Sequence, residues 1–282
     1  MQNKVTREKL ESIGFKFSKS MGQNFLKDPN IPDKIVRLSN IDSSFGVLEI
    51  GPGAGALTMP LSESAGKVVA VELDDKLIPI LSDVFAECEN VEFVAGDILK
   101  LDVAKLVQEK LTDFKYCVCA NLPYNITSPV ITKLIDLNLF EQITVMVQRE
   151  VAKRICAAPG SSDYSAFSVF VSYHTEPVIL FDVPPECFVP RPKVFSSVVL
   201  MKPRTEKLLS GEEETRFFRV VRAAFGQRRK TLVNALHAAF GSKMAKQDIA
   251  DIITSCGFDP KVRGETLGIE EFIKISAKFQ FS

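Results

Sequence analysis

The run Phe45-Gly46-Val47-Leu48-Glu49-Ile50-Gly51-Pro52-Gly53-Ala54-Gly55 decides how the rest of the chain is read. Phe45 to Ile50 is a short apolar run that ends abruptly in glycines, as a buried strand does when it exits into a turn. Glycine takes positive φ without steric cost and lets a ligand approach the backbone, and a helix is expected to start near Ala56. Strand, glycine turn and helix together imply a nucleotide-like ligand. The spacing is G-x-G-x-G and lacks the G-x-x-G ending of the dinucleotide fingerprint, which argues against a nicotinamide cofactor.

Working outward, further apolar runs occur at Val68 to Val71, Val91 to Val94, Tyr116 to Ala120 and Ile143 to Val147. Between them, Leu77, Ile78, Leu81, Val84 and Phe85, and then Val130, Ile131, Leu134, Ile135 and Leu137, recur at helical spacing. Strands alternating with helices predict an α/β, Rossmann-like fold: a mainly parallel sheet covered on both faces, with its ligand at the carboxyl ends of the strands. The runs Ala166 to Tyr173 and Val194 to Met201, separated by the proline-rich stretch Pro184 to Pro192, predict antiparallel strands that close the sheet. After the polar, acidic stretch Thr205 to Glu214, the segments Phe217 to Phe225, Leu232 to Phe240 and Ile249 to Ile253 read as amphipathic helices. A boundary near residue 206 follows, with a sheet domain over 1–206 and a smaller helical domain over 207–282.

Hydrophobic residues make up 46% of the 282 and charged residues 25%, a composition that excludes a disordered chain. No apolar run approaches the length of a bilayer span, and Met1 to Lys9 is polar, so a cytoplasmic protein without membrane attachment is expected. Cys88, Cys117, Cys119, Cys156, Cys187 and Cys256 lack metal-type spacing and are expected to be reduced core thiols, with no metal bound. His174 and His237 have no partners at ligand spacing. The net charge is +0, yet residues 1–40 hold eight Lys or Arg against four acids, and residues 216–246 hold eight and no acid. These basic regions read either as solvated helix faces or as a phosphate-contacting footprint split between the chain's two ends.

Two more strand ends carry acids. Glu72 closes the second strand about 20 residues past the loop, where an acid holds both hydroxyls of a ribose. Asp97 closes the third. Either acid alone is as consistent with a helix cap, but a glycine turn, a ribose acid and an adenine-side polar group on successive strand ends fit an adenosine-containing cofactor without a pyrophosphate. S-adenosylmethionine is the first candidate.

The fourth strand ends in Asn121-Leu122-Pro123-Tyr124, followed by Asn125-Ile126. Such residues also make ordinary turns. Chemically, they suit an adenine amine, a poor nucleophile because its lone pair is delocalised into the ring. Two acceptors, the Asn121 side-chain oxygen and the Leu122 carbonyl held by the stiff Pro123, would take the two amino hydrogens and turn the lone pair toward a sulfonium methyl. Tyr124 would stack on the base. No dedicated general base is needed, because the nitrogen becomes acidic once methylated.

At these residues the chain resembles the small-subunit ribosomal RNA adenine dimethyltransferases, a family related to the erythromycin-resistance ribosomal RNA methylases. The likeness extends to Lys19-Ser20-Met21-Gly22-Gln23-Asn24-Phe25-Leu26, Pro190-Arg191-Pro192-Lys193-Val194 and Ala224-Phe225-Gly226-Gln227-Arg228-Arg229-Lys230-Thr231-Leu232. It implies that Gln23, Asn24 and Leu26 close over the cofactor beside Gly51, Gly53, Glu72, Asp97 and Asn121. It also implies that Phe188 packs on the target adenine opposite Tyr124. Two methyl groups on each of two adjacent adenosines, in a hairpin near the 3′ end of small-subunit RNA, would be the product. The partner would be an assembling small ribosomal subunit, and the protein a monomer. Arg149, Lys153, Arg154, Arg228, Arg229 and Lys230 are then expected to contact phosphate. The alternatives are a large-subunit RNA or DNA adenine methylase, and a noncatalytic assembly factor on the same fold. The intact Gly51, Glu72, Asp97, Asn121 and Tyr124 speak against the last.

Overall fold

In this computed structural model, which describes residues 25–280, the chain enters through a two-residue strand, β1 (Phe25–Leu26), and a helix, α1 (Asn30–Leu38). The deciding run then forms β2 (Phe45–Ile50), and α2 (Thr58–Ser64) leads to β3 (Lys67–Glu72). Next come α3 (Leu77–Val84), β4 (Val91–Ala95), α4 (Val103–Lys110), β5 (Lys115–Asn121), α5 (Thr127–Leu137) and β6 (Gln142–Gln148). The β2, β3, β4, β5 and β6 pairings are parallel. Nearly every residue of β2, β3 and β6 is buried, as expected for strands covered on both faces, which read as continuous rather than alternating apolar runs.

The sheet order is β4-β3-β2-β5-β6-β9-β7, with β7 (Thr175–Val183) and β9 (Ser196–Pro203) added at one side. From β2 the chain steps outward to β3 and β4, then returns to the other flank as β5 and β6. Neighbouring connections thus diverge at the carboxyl end of β2, which opens a crevice there. Strand β9 pairs antiparallel with β6, from Ile143↔Met201 to Gln148↔Ser196, the closing strand expected from Val194 to Met201.

The other expected closing strand, Ala166 to Tyr173, is instead helix α7 (Ala166–His174), which follows α6 (Arg149–Ile155). Ser165 caps it: its hydroxyl accepts from the Ser168 N–H at 3.4 Å, while the Ser168 hydroxyl accepts from the Ser165 N–H at 3.0 Å. This reciprocal cap, with Val169 and Tyr173 buried one turn apart, outweighs the β preference of the branched and aromatic residues. The strand actually present, β7, contains Pro177, which a sheet tolerates because β7 is an edge strand.

The chain divides into two compact units, one running up to Ala152 and taking in Pro177–Pro203, the other holding Lys153–Glu176 and the chain from Arg204 onward. The change near residue 204 lies beside the expected boundary, but Lys153–Glu176 joins the later helices. Those are α8 (Gly211–Gly226), α9 (Leu232–Phe240), α10 (Lys246–Ser255) and α11 (Ile269–Ser276), around Phe217, Leu236, Ile253, Phe272 and Phe279. Tyr164 and Tyr173, from the inserted segment, belong to the same cluster, and the Tyr164 hydroxyl donates to the Leu267 carbonyl at 3.0 Å.

In the first unit one side chain fixes the loop that follows β4. The Lys133 ammonium, on α5, donates to the carbonyls of Ile98, Leu99 and Leu101 at 3.0, 3.0 and 2.7 Å. A charged donor shared among three carbonyls matters because it satisfies backbone groups that no strand or helix takes up. Lys133→Met keeps the stem and removes the donors. It should lower unfolding stability by about 2–3 kcal/mol, read from the urea midpoint; a loss under about 1 kcal/mol would mean that water serves those carbonyls equally well.

Candidate active site

The turn after β2 places Gly51, Gly53 and Gly55 at φ 69°, 57° and 76°, in the left-handed region that other residues rarely adopt. It is pinned to the neighbouring strand twice. The Gly51 N–H donates to the Val71 carbonyl at 2.9 Å, and the Gly53 N–H to the Glu72 carboxylate at 3.2 Å. The other Glu72 oxygen accepts from the Asp74 N–H at 3.0 Å. Burial pushes the Glu72 carboxyl above its ordinary pKa, and the N–H groups of Asp74, Gly53 and Leu73 offset this in part.

Beneath the turn, Glu49 is fully buried and accepts from the Thr58 hydroxyl at 2.7 Å. Desolvation raises it to about 8, despite that hydrogen bond, with the nearby Glu72 adding to the rise. Asp97, two residues past β4, behaves oppositely. The Leu99 N–H, donating to it at 3.0 Å, holds its carboxyl low, helped by the charges of Lys100 and Lys133.

These groups line one cleft of about 990 Å³, measured with its open mouth, together with Leu26, Gly51, Gly53 and Asn121-Leu122-Pro123-Tyr124. Its lining, mostly apolar with a few convergent polar groups, is of the kind that holds a small molecule. At Gly51 the turn is open: an added Cβ would meet nothing within 4 Å. That open space belongs to the same cleft as Glu72 and Asp97. Among the described residues no group of His, Cys, Asp and Glu is placed to hold a metal, and no helix is long and apolar enough to cross a membrane. The six cysteines are free thiols, and Cys117 and Cys119 are buried.

Asn121 is the last residue of β5, paired with Met146, and the next amide, Leu122 N–H, donates to the Met146 carbonyl at 3.1 Å. The turn's later carbonyls are occupied: Pro123 accepts from the Ile126 N–H, and the Thr127 hydroxyl reaches both Pro123 and Tyr124. The Leu122 carbonyl receives no donor among the described residues. A buried acceptor left without a partner calls for a ligand donor. Tyr124 is oriented by Ser196, their hydroxyls 2.9 Å apart, and burial raises its pKa.

Other expected site residues lie elsewhere. Gln23 and Asn24 fall outside the described residues. Phe188 is 1% exposed, packed in a core with Cys187, Val183 and Val198, and is absent from the cleft lining. Its strand, β8 (Phe188–Val189), pairs with β1, Leu26 opposite Phe188. In this conformation Tyr124 alone offers the cleft an aromatic face from that pair. Arg228 is committed to an ion pair with Glu265 at 2.6 Å and to the Ser161 carbonyl at 3.2 Å. Arg229, Lys230, Lys153 and Arg154 are exposed. Lys133, Ser196 and the buried Glu49 contribute to the site without having been singled out from the sequence; Glu49 lay inside the quoted run, whereas Lys133 and Ser196 act through contacts that no local spacing reveals.

The profile of the family described as Ribosomal RNA adenine dimethylase matches residues 14–276. A Ribosomal RNA small subunit methyltransferase A of Anoxybacillus flavithermus is 45% identical over 274 residues, which cover 96% of this chain and 93% of that protein. The protein of that name in Clostridioides difficile is 43% identical, covering 96% and 94%. A dimethyladenosine transferase from Plasmodium falciparum has a similar structure, with a TM-score of 0.75 at 29% identity, covering 89% of this chain and 95% of that one. The 23S rRNA methyltransferase ErmE shares the fold, with a TM-score of 0.69 at 23% identity over 90% of this chain and 98% of that one. With its glycine turn, strand-end acids and Asn121-Leu122-Pro123-Tyr124 motif assembled in one cleft, the chain belongs to the ribosomal RNA adenine dimethylase family.

Proposed function

We propose that this protein transfers methyl groups from S-adenosylmethionine to the N6 amine of two adjacent adenosines in small-subunit ribosomal RNA, giving N6,N6-dimethyladenosine. It works as a cytoplasmic monomer on the assembling subunit. The observation that carries this reading is the pair of acceptors at the end of β5, the Asn121 side chain and the unpartnered Leu122 carbonyl, in the same cleft as the glycine turn and Glu72.

S-adenosylmethionine fits the cleft and supplies an electrophilic methyl group. Glu72 would hold its ribose hydroxyls, Asp97 its adenine side, and Gly51 the backbone face. Asn121 and Leu122 accept the two hydrogens of the adenine amine, which frees the nitrogen lone pair from the ring. Tyr124, fixed through Ser196, stacks on the base, which therefore must be unpaired or extruded. Alignment of this kind is worth up to roughly 7–11 kcal/mol of the barrier. Phe188 would join Tyr124 only by leaving its core. Arg149, Lys153, Arg154, Arg229 and Lys230 would meet phosphates, so binding should weaken with salt.

The direct test is mass spectrometry of nucleosides from undermethylated small subunits incubated with the protein and S-adenosylmethionine. N6,N6-dimethyladenosine is the expected product. Cofactor and subunit binding without any methyl transfer would instead make this a noncatalytic assembly factor.

Two further outcomes follow from the geometry. Asn121→Ala should reduce kcat by about 100-fold or more while the cofactor Kd changes only a few-fold, because the lost acceptor acts on the reacting amine. Equal losses in both would make Asn121 chiefly a cofactor ligand. Cofactor affinity should also depend on pH. Ribose hydroxyls favour the ionised Glu72, whose pKa is raised in the unliganded protein, so affinity is full above that pKa and falls as pH drops through it. The midpoint should lie above the ordinary glutamate value of about 4.3. Glu72→Gln should bind about 10- to 100-fold more weakly at neutral pH and lose this acid limb in titration calorimetry; an unchanged limb would assign it to another group.

A further inference from the structure

Phe195 is 38% exposed, and Val194 beside it 41%, among the few large apolar side chains exposed in the described residues. Single exposed apolar residues are ordinary, but this one is built upon. The Arg149 guanidinium lies over the Phe195 ring, 4.7 Å from its centroid, and the Arg149 N–H donates to the Phe195 carbonyl at 2.9 Å. Asp182 steadies the guanidinium from 4.0 Å while accepting from the Ser197 hydroxyl at 2.6 Å. Arg149 is thereby oriented, yet its side chain is 44% exposed and its guanidinium makes no hydrogen bond among the described residues.

The location gives this pair its meaning. Phe195 immediately precedes Ser196, whose hydroxyl meets that of Tyr124, and Ser196 opens β9 opposite Gln148, the last residue of β6. The ring and the cation therefore stand at the end of the strand pair that positions Tyr124. We infer that Phe195 and Arg149 form a second stacking platform, which holds the unpaired nucleotide next to the target adenosine. The base lies on the phenyl–guanidinium pair, and the uncommitted N–H groups of Arg149 take a phosphate oxygen. The inference rests on the proposed function and extends it: two neighbouring adenosines would occupy Tyr124 and Phe195 at the same time.

The test compares Phe195→Ala, Phe195→Leu, Phe195→Tyr and Arg149→Ala with the unaltered protein in steady-state methylation of undermethylated small subunits. Phe195→Ala and Phe195→Leu should raise KM for subunits by about 5- to 150-fold, the range of one lost base stack, with kcat and cofactor Kd unchanged. Phe195→Tyr should restore KM, and Arg149→Ala should raise KM and flatten its salt dependence. If Phe195→Leu behaves like the unaltered protein, the ring serves only as apolar cover and the inference fails. It fails also if kcat falls while KM holds, which would mean that Phe195 acts through Ser196 on Tyr124. Should the unaltered protein transfer no methyl group, filter binding of the same subunits yields the same ratios, so a failure of the proposed activity is told apart from a failure of the platform.

Discussion

The hydrogen bond from the Gly53 N–H to the Glu72 carboxylate ties the turn after β2 to the end of β3, and the site depends on it. A turn with three left-handed glycines is expensive to order, because glycine loses more conformational freedom than any other residue. The carboxylate that holds it is itself destabilised by burial, which its backbone N–H partners offset only in part. A ligand offering two hydroxyl donors to Glu72 would offset that desolvation with hydrogen bonds and stiffen the turn in one event. In the proposed activity, recognition of a ribose and ordering of the backbone beneath it would thus be coupled through one side chain.

The register of the parallel strands puts the rest in place. Glu49 stands opposite Ala70 on one side and Cys119 on the other, so the ends of β2, β3 and β5 arrive together at the same crevice. This much was legible in the sequence, since strands buried on both faces announce themselves as unbroken apolar runs and the glycine turn marks which end is open. Parallel order, the strand-end acids and Asn121 followed from those two signals. What was not legible depended on partners distant in sequence. Ala166–His174 looks like a strand until the reciprocal Ser165–Ser168 cap is recognised, and β7 was hidden by Pro177, whose placement on a sheet edge only the assembled topology reveals. Phe188 carries an aromatic ring in the expected motif, but the pairing of β1 with β8 draws it into the core. Arg228 and its neighbours Arg229 and Lys230 are identical in character as a sequence, and only the proximity of Glu265 and Ser161 separates the engaged cation from the exposed ones.

A net charge of +0 is compatible with an RNA substrate because the charges are sorted by depth. Acids line the cleft, where Glu49, Glu72 and Asp97 are found, while Arg149 follows the carboxyl end of β6, outside that lining. Non-specific affinity for a polyanion is then modest, and productive binding has to come from stacking and shape as much as from phosphate contacts.

The acids also set a limit on one another. For the proposed activity the cofactor is a cation whose charge is discharged as the methyl group leaves, so each ionised carboxylate near it favours the bound state more than the transition state. In that proposal Glu72 and Asp97 would lie at the ribose and adenine ends. Glu49, beneath the glycine turn, is the acid whose ionisation would add to their charge, and burial raises it to about 8 in spite of the Thr58 hydroxyl, so that a neutral group is favoured near pH 7. The cleft therefore carries less negative charge than its three carboxyl groups would suggest.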